Sequence, residues 1–241
     1  MLYNTRGIVF KYFKYSESSI IAKIFTEEFG LQSYIVKGVR SKRSKTGLAL
    51  FQALTLVDLM VFHKEGKSIN HLKEISVNYA FQSIPLEMEK RAVLFFLDEL
   101  LYRSIREETP DKELFNWLFN TLSWFDMNSG GSINFHLVFM LQLSRFLGFY
   151  PKKIPGKTQL VFDLQEGQFT DVIPQLPQYI SGTLVTKLEL LFESTFENSH
   201  LLDINNNDRR KLIDILITYY RLHLPGFGEM KSLEVLKTIM G

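Results

Sequence analysis

Apolar and polar positions alternate with a period of two along the first eighty residues. Residues 5–13 read Thr-Arg-Gly-Ile-Val-Phe-Lys-Tyr-Phe, which sets Ile8, Phe10 and Tyr12 on one side of a strand and Val9, Lys11 and Phe13 on the other. Ser16-Glu17-Ser18 reads as a turn. Residues 19–26 form a second strand rich in β-branched side chains (Ile20, Ile21, Ile24, Thr26). Glu27-Glu28-Phe29-Gly30 is a short connection whose glycine suits a positive φ. A third strand covers 31–37. A fourth covers 53–63, with Leu54, Leu56, Met60 and Phe62 inward and Asp58 the exception on that face. Lys64-Glu65-Gly66-Lys67 turns, and 68–80 gives a fifth. Five consecutive strands with one longer loop, between the third and fourth, predict a small closed barrel. An OB-fold is the leading candidate and an SH3-like barrel the alternative. In an OB-fold a helix often stands between those two strands; here its place falls to a basic loop running into Leu48–Gln52.

At residue 81 the period changes to that of a helix. Pro85, Glu87 and Glu89 suit a first turn, and Val93, Phe96, Leu97, Leu100, Leu101 and Ile105 recur on one face. Thr109-Pro110-Asp111 predicts a second helix start, followed by the stripe Phe115, Leu118, Phe119, Leu122 and Phe125. Asn128-Ser129-Gly130-Gly131 breaks the chain, and a third helix over 132–148 ends at Gly148. Residues 149–180 hold Pro151, Pro155, Pro174 and Pro177, and Phe162–Phe169 reads as a β-hairpin. Helices resume at 182–197, 207–222 and 230–240, with Asn205-Asn206-Asn207 starting the second of these. The expected class is α+β: an N-terminal five-stranded barrel over 1–80, then a helical domain over 81–241. That domain divides into a three-helix bundle (84–148), a hairpin insertion (149–180) and C-terminal helices (181–241).

Composition changes this picture in two ways. The chain has no cysteine, which excludes disulfides, thiolate zinc sites and cysteine nucleophiles. Its charge is uneven: residues 1–80 carry 12 Lys/Arg against 6 Asp/Glu, while 81–241 carry 16 against 20. A basic N-terminal part suggests a nucleic-acid face there. Its densest stretch is 37–47, with Lys37, Arg40, Lys42, Arg43 and Lys45, no acid, and glycine at both ends. Such a loop is a phosphate-binding loop or simply a solvated one. No run is long and apolar enough for a membrane span, and the N-terminus lacks the apolar core of a signal peptide, so the cytoplasm is the expected compartment.

Catalytic chemistry finds little support. Pro155-Gly156-Lys157-Thr158 resembles the end of a phosphate-binding P-loop, but Pro151 occupies the position of its first glycine and has no amide hydrogen. The five histidines (His63, His71, His136, His200, His223) show no metal-ligand spacing. Asp98-Glu99 and Glu107-Glu108 are adjacent on predicted helices and point about 100° apart. The expectation is no catalytic site and no cofactor. Arg209-Arg210-Lys211 at a helix start reads as locally neutralised by Asp203 and Asp208. What persists is Phe10-Lys11-Tyr12-Phe13-Lys14-Tyr15, where cations alternate with rings. Cations follow phosphates and exposed rings stack bases, each worth about 1–3 kcal/mol. Lys11, Phe13 and Tyr15 are the expected exposed set; the other reading packs all four rings into the core.

The order of motifs resembles the RecO family of bacterial recombination mediators. The resemblance rests on Thr5-Arg6-Gly7-Ile8-Val9, Tyr15-Ser16-Glu17-Ser18, Thr26-Glu27-Glu28-Phe29-Gly30-Leu31 and Val36-Lys37-Gly38-Val39-Arg40. Leu147-Gly148-Phe149-Tyr150-Pro151 and Tyr219-Tyr220-Arg221-Leu222-His223 with Lys231-Ser232-Leu233 add to it. It implies an OB-fold followed by helices, and DNA repair by homologous recombination. It also implies binding of single- and double-stranded DNA, annealing without ATP, and help in loading recombinase. The implied partners are RecR and the acidic C-terminal tail of single-strand-binding protein. Many members carry a four-cysteine zinc module where this chain has its cysteine-free hairpin, so zinc does not carry over. The expected DNA contacts are Arg6, Lys11, Phe13, Lys14, Lys37, Arg40, Lys42, Arg43 and Lys45. The rival reading is a non-catalytic adaptor whose helical domain binds an acidic protein; an enzyme is a third.

Overall fold

The period-two runs fold as five strands: β1 (Leu2–Lys14), β2 (Ile20–Thr26), β3 (Gly30–Val36), β4 (Leu56–Phe62) and β5 (Asn70–Tyr79). They close into a barrel in the order β1-β2-β3-β5-β4. Every pair is antiparallel except β3 with β5, which run parallel through Tyr34↔Asn70 and Ile35↔His71. The computed structural model describes residues 1–39, 47–106, 109–128, 133–154 and 160–240. Val9, Ala22, Ile24, Tyr34, Val57, Leu59 and Val61 fill the barrel, closed by Phe51 from the 3₁₀ turn Leu48–Phe51. That turn stands where an OB-fold often has a helix.

Two face assignments differ from the sequence expectation. In β1 the partner of Val9 is Ile24 but the partner of Lys11 is Lys23, so Phe10 is an extra residue. This bulge reverses the alternation. Tyr12 therefore shares a face with Val9, and Lys11 and Phe13 share the outer face with Ile8. In β4 the inward residues are Val57, Leu59 and Val61, while Asp58, Met60 and Phe62 point out. Of the expected inward set, Met60 and Phe62 are thus corrected to the outer face, while Leu54 and Leu56 are fully buried outside the barrel's own filling. Two apolar sets competed at this strand, and the solvation of Asp58 decides between them.

The contacts divide the chain into Met1–Met127 and Asn128–Gly241. Strand gives way to helix near residue 80 as expected, but the first unit also holds α1 (Met88–Ser104) and α2 (Lys112–Met127). α1 packs on β1, and α2 brings Phe115 to within 5.9 Å of Phe25 on β2. Asp126 on α2 binds the segment leading out of β5. Its carboxylate accepts from the amides of Gln82 (2.8 Å), Ser83 (2.9 Å) and Ile84 (2.9 Å) and from the Tyr79 hydroxyl (3.0 Å). Burial pushes this carboxyl up, and those donors outweigh it and hold it below its ordinary value. By contacts, α1 and α2 belong to the first unit and the chain after Met127 to the second.

In the second unit α3 (Phe135–Phe146) starts the helical packing, and a small sheet follows: β6 (Lys152–Lys153), β7 (Val161–Asp163), β8 (Gln168–Thr170) and β9 (Tyr179–Ser181). Their order is β6-β8-β7-β9, so the expected hairpin is the centre of a four-stranded sheet. Rings hold it: Phe162 lies 4.7 Å from Phe169 and 5.6 Å from Tyr219, and Phe169 lies 5.7 Å from Phe192. α4 (Thr183–Glu193) and α5 (Asn206–His223) pack on α3, and α6 (Ser232–Met240) closes the chain. Asn205 caps α5, accepting from the Asp208 amide at 2.9 Å. Buried Arg209 is satisfied by neutral acceptors, Asn134 (3.0 Å), Asn206 (2.7 Å) and the Ile204 carbonyl (2.8 Å). Asp208 ion-pairs with Lys187 and is lowered by Lys211 as well, so within the tract Arg209-Arg210-Lys211 the buried Arg209 departs from the expected neutralisation by acids.

Candidate nucleic-acid interface

Beyond the Phe10 bulge, β1 carries an exposed basic–aromatic tract. Phe13 is 42% and Tyr15 60% exposed, and Tyr12 is 36% exposed. Lys11 and Lys14 are exposed as well. The Lys11 ammonium sits 5.5 Å from the Phe13 ring and 5.3 Å from the Tyr102 ring on α1, cation–π contacts that hold the long side chain over the sheet. Register extends the tract over the outer face: Lys11 is paired with Lys23 and Lys23 with Ser33, while Phe13 is paired with Ile21 and Ile21 with Ile35. Lys37, exposed, follows directly on β3. Among the described residues, no carboxylate is within ion-pairing distance of Lys14, Lys23 or Lys37. Their charge is available to an external anion. Lys23 was not among the expected contacts; its signal is the cross-strand pairing with Lys11, which one sequence does not display.

Arg6 is placed differently. Its guanidinium donates to both Glu27 oxygens, at 2.9 and 2.7 Å, and to Asn116 at 2.7 Å. It also lies over the rings of Phe115 (5.3 Å) and Phe119 (5.0 Å). The bond to Arg6 holds the Glu27 carboxyl below its usual range, and Glu27 in turn raises Arg6. Arg6 thus joins the barrel to α2, with its charge committed to Glu27. Arg40, Lys42, Arg43 and Lys45 lie outside the described residues, as does Pro155-Gly156-Lys157-Thr158.

Beneath the tract, Asp98 on α1 has a buried carboxylate oxygen with no hydrogen-bond partner. Burial pushes this carboxyl up to about 8, with Lys11 opposing and Glu99 adding to the shift. Elsewhere His63, His136 and His223 serve packing. His63 stacks on Phe29 at 4.0 Å, and His136 is buried, which lowers it to about 3. His223 bonds the Leu164 carbonyl at 3.0 Å. Among the described residues, no three potential ligands gather to hold a metal, and no helix is long and apolar enough to cross a membrane.

The arrangement is thus an α+β protein: a small N-terminal barrel with an exposed cationic and aromatic outer face, followed by helices. Family models agree on what it is. The model for the N-terminal part of recombination protein O matches residues 1–81, and that for its C-terminal part matches 86–234. The chain belongs to the RecO family. It is 39% identical over 240 residues to the DNA repair protein RecO of Bacteroides fragilis, covering 99% of each chain. The RecO proteins of Phocaeicola vulgatus and Flavobacterium psychrophilum are 34% and 35% identical, again over 99% of each chain.

Proposed function

We propose that this chain is a non-catalytic mediator of DNA repair and homologous recombination. In this reading the barrel is an OB-fold that binds single- and double-stranded DNA. The protein anneals complementary strands without ATP and helps to load recombinase onto DNA coated by single-strand-binding protein. RecR and the acidic C-terminal tail of that protein are the proposed partners, and the cytoplasm the proposed compartment. The observation that carries the reading is the group of lysines free of carboxylates among the described residues, Lys14, Lys23 and Lys37, set beside exposed rings on a barrel whose family includes named DNA repair proteins. Neutralised phosphates release counterions, and two mutually repelling strands can then share one surface. Annealing so described needs no side-chain acid, base or nucleophile. Lys11, Phe13, Lys14, Lys23 and Lys37 are the proposed contacts, with Arg40, Lys42, Arg43 and Lys45 beside them in sequence.

The test is a salt titration of binding to a labelled single-stranded oligonucleotide. Replacing Arg40, Lys42, Arg43 and Lys45 with Ala should weaken binding and reduce the log–log salt slope by roughly 2–3, at about 0.7 per phosphate lost. An affinity and slope equal to wild type would remove the loop from the mechanism.

A further inference from the structure

Strand register aligns one row of outward side chains across all five strands of the barrel. Phe13 pairs with Ile21, Ile21 with Ile35, Ile35 with His71, His71 with Phe62, and Phe62 with Leu2. Leu2 is 41% exposed, Phe13 42% and Phe62 49%, and the members between them are half-buried. Strands lie about 4.8 Å apart, so Phe13 and His71 are separated by roughly 14 Å along the sheet. At the middle of the row, where β3 and β5 run parallel, is a groove of about 560 Å³ lined by Ile35, Lys37, Phe62, His71 and Lys73, among others. An apolar row of this length on an outer face marks a binding surface.

Charge identifies the occupant. Lys11 and Lys23 form a cationic pair along one flank of the row, and Lys37 lies at the groove itself. Among the described residues, no carboxylate is within ion-pairing distance of Lys11, Lys23 or Lys37, while Lys73, also at the groove, lies 3.9 Å from Glu74. A ligand matched to the rings of Phe13, Phe62 and His71, set among aliphatic side chains and beside these lysines, is a polyanion with flat faces. We propose that the seam between β3 and β5 is a stacking subsite for unpaired bases of single-stranded nucleic acid. Phe62 and His71 are its platforms and Lys37 its phosphate contact. The proposal rests on the DNA-binding reading above and adds a discrimination to it. Unpaired bases can turn a face to these rings, whereas bases in a duplex are already stacked. The lysines serve both forms, and the rings serve one.

The experiment compares the full chain with Phe62→Ala, Phe62→Leu, His71→Ala and Lys37→Ala. Each is titrated with a labelled single strand and with the duplex of the same sequence. F62A should lose roughly five- to tenfold in single-strand affinity, the lower part of the range for one stacked base. Its salt slope and duplex affinity should be unchanged. K37A should weaken both forms and reduce the single-strand slope by about 0.7. F62L keeps an apolar side chain at an exposed position and so preserves folding, and it should show the same selective loss. Equal losses on both forms overturn the subsite, as does wild-type single-strand affinity in F62A and F62L; the latter result would give the row to a protein partner. A wild-type chain that binds neither form overturns the DNA-binding reading itself.

Discussion

At the scale of single residues, the two most informative positions are an arginine that is taken and a carboxylate that is unsatisfied. Arg6 looks like a DNA contact in a basic segment, but it is spent on Glu27 and Asn116. Charge-assisted bonds of this kind contribute about 1.5–3 kcal/mol each, less where solvent reaches the pair. Arg6→Ala should therefore lower unfolding stability in urea by about 1–3 kcal/mol and leave DNA affinity per folded molecule unchanged. The pH dependence follows from the same pair. Glu27 has a folded pKa below its unfolded value of 4.5, so its contribution is present above that value and is lost as pH falls through the folded one. The variant should lose this acid-side decline, which urea titrations at stepped pH would show. Asp98 has the opposite sign. Its folded pKa is raised to about 8, so stability is full below its unfolded value and falls as pH rises through about 8. Asp98→Asn should flatten that decline, which runs from the unfolded value up to about 8, and make the protein more stable than wild type above it; an unaltered pH profile would contradict the burial of this group.

At the scale of elements, the strands were legible because solvent on one side and core on the other enforce alternation, and a run of five such segments leaves few topologies. The bulge at Phe10 was not legible, since an inserted residue leaves composition intact and shows only against the partner strand. The same holds for Lys23, whose role depends on register. β6 and β9 are two and three residues long, too short to carry a period. The helices after residue 81 were readable from their stripes, but not their grouping. What ties α2 to the barrel is Asp126 with the amides of Gln82 to Ile84, over forty residues away in sequence. The Arg6 bond to Asn116 is longer still in separation. One glycine tests the barrel directly. A Cβ at Gly7 would lie 2.7 Å from the Leu59 Cδ1 and 2.8 Å from the Ile24 Cγ2, both inside the barrel. Gly7→Ala must displace those side-chain methyls within the packed barrel and should cost about 1–3 kcal/mol by urea unfolding, the usual range for an overfilled core. The matching control is Gly47→Ala, where the nearest atom is 3.9 Å away, and it should be nearly neutral.

At the scale of the whole molecule, the sum of charges hides the property that matters. The chain has 28 Lys/Arg and 26 Asp/Glu, a net charge of only +2, which by itself predicts weak attraction to a polyanion. What differs between cations is whether a carboxylate already accompanies them. Lys153 pairs with Glu189 and Glu193, Lys187 with Asp208, and Lys237 with Asp214 and Glu234. A phosphate approaching such a lysine must displace or tolerate the acid, so the exchange gains little. Lys14, Lys23 and Lys37 have no such companion among the described residues. The comparison to make is between two triple variants of equal charge change. Lys14→Ala with Lys23→Ala and Lys37→Ala should lower single-strand affinity at low salt and reduce the log–log salt slope by about 2, from three phosphates at about 0.7 each. Lys153→Ala with Lys187→Ala and Lys237→Ala should leave the slope within error of wild type, although it removes the same number of positive charges and disturbs five ion pairs. Equal slopes in the two variants would mean that binding follows total charge, and the barrel face would then have no special claim on DNA.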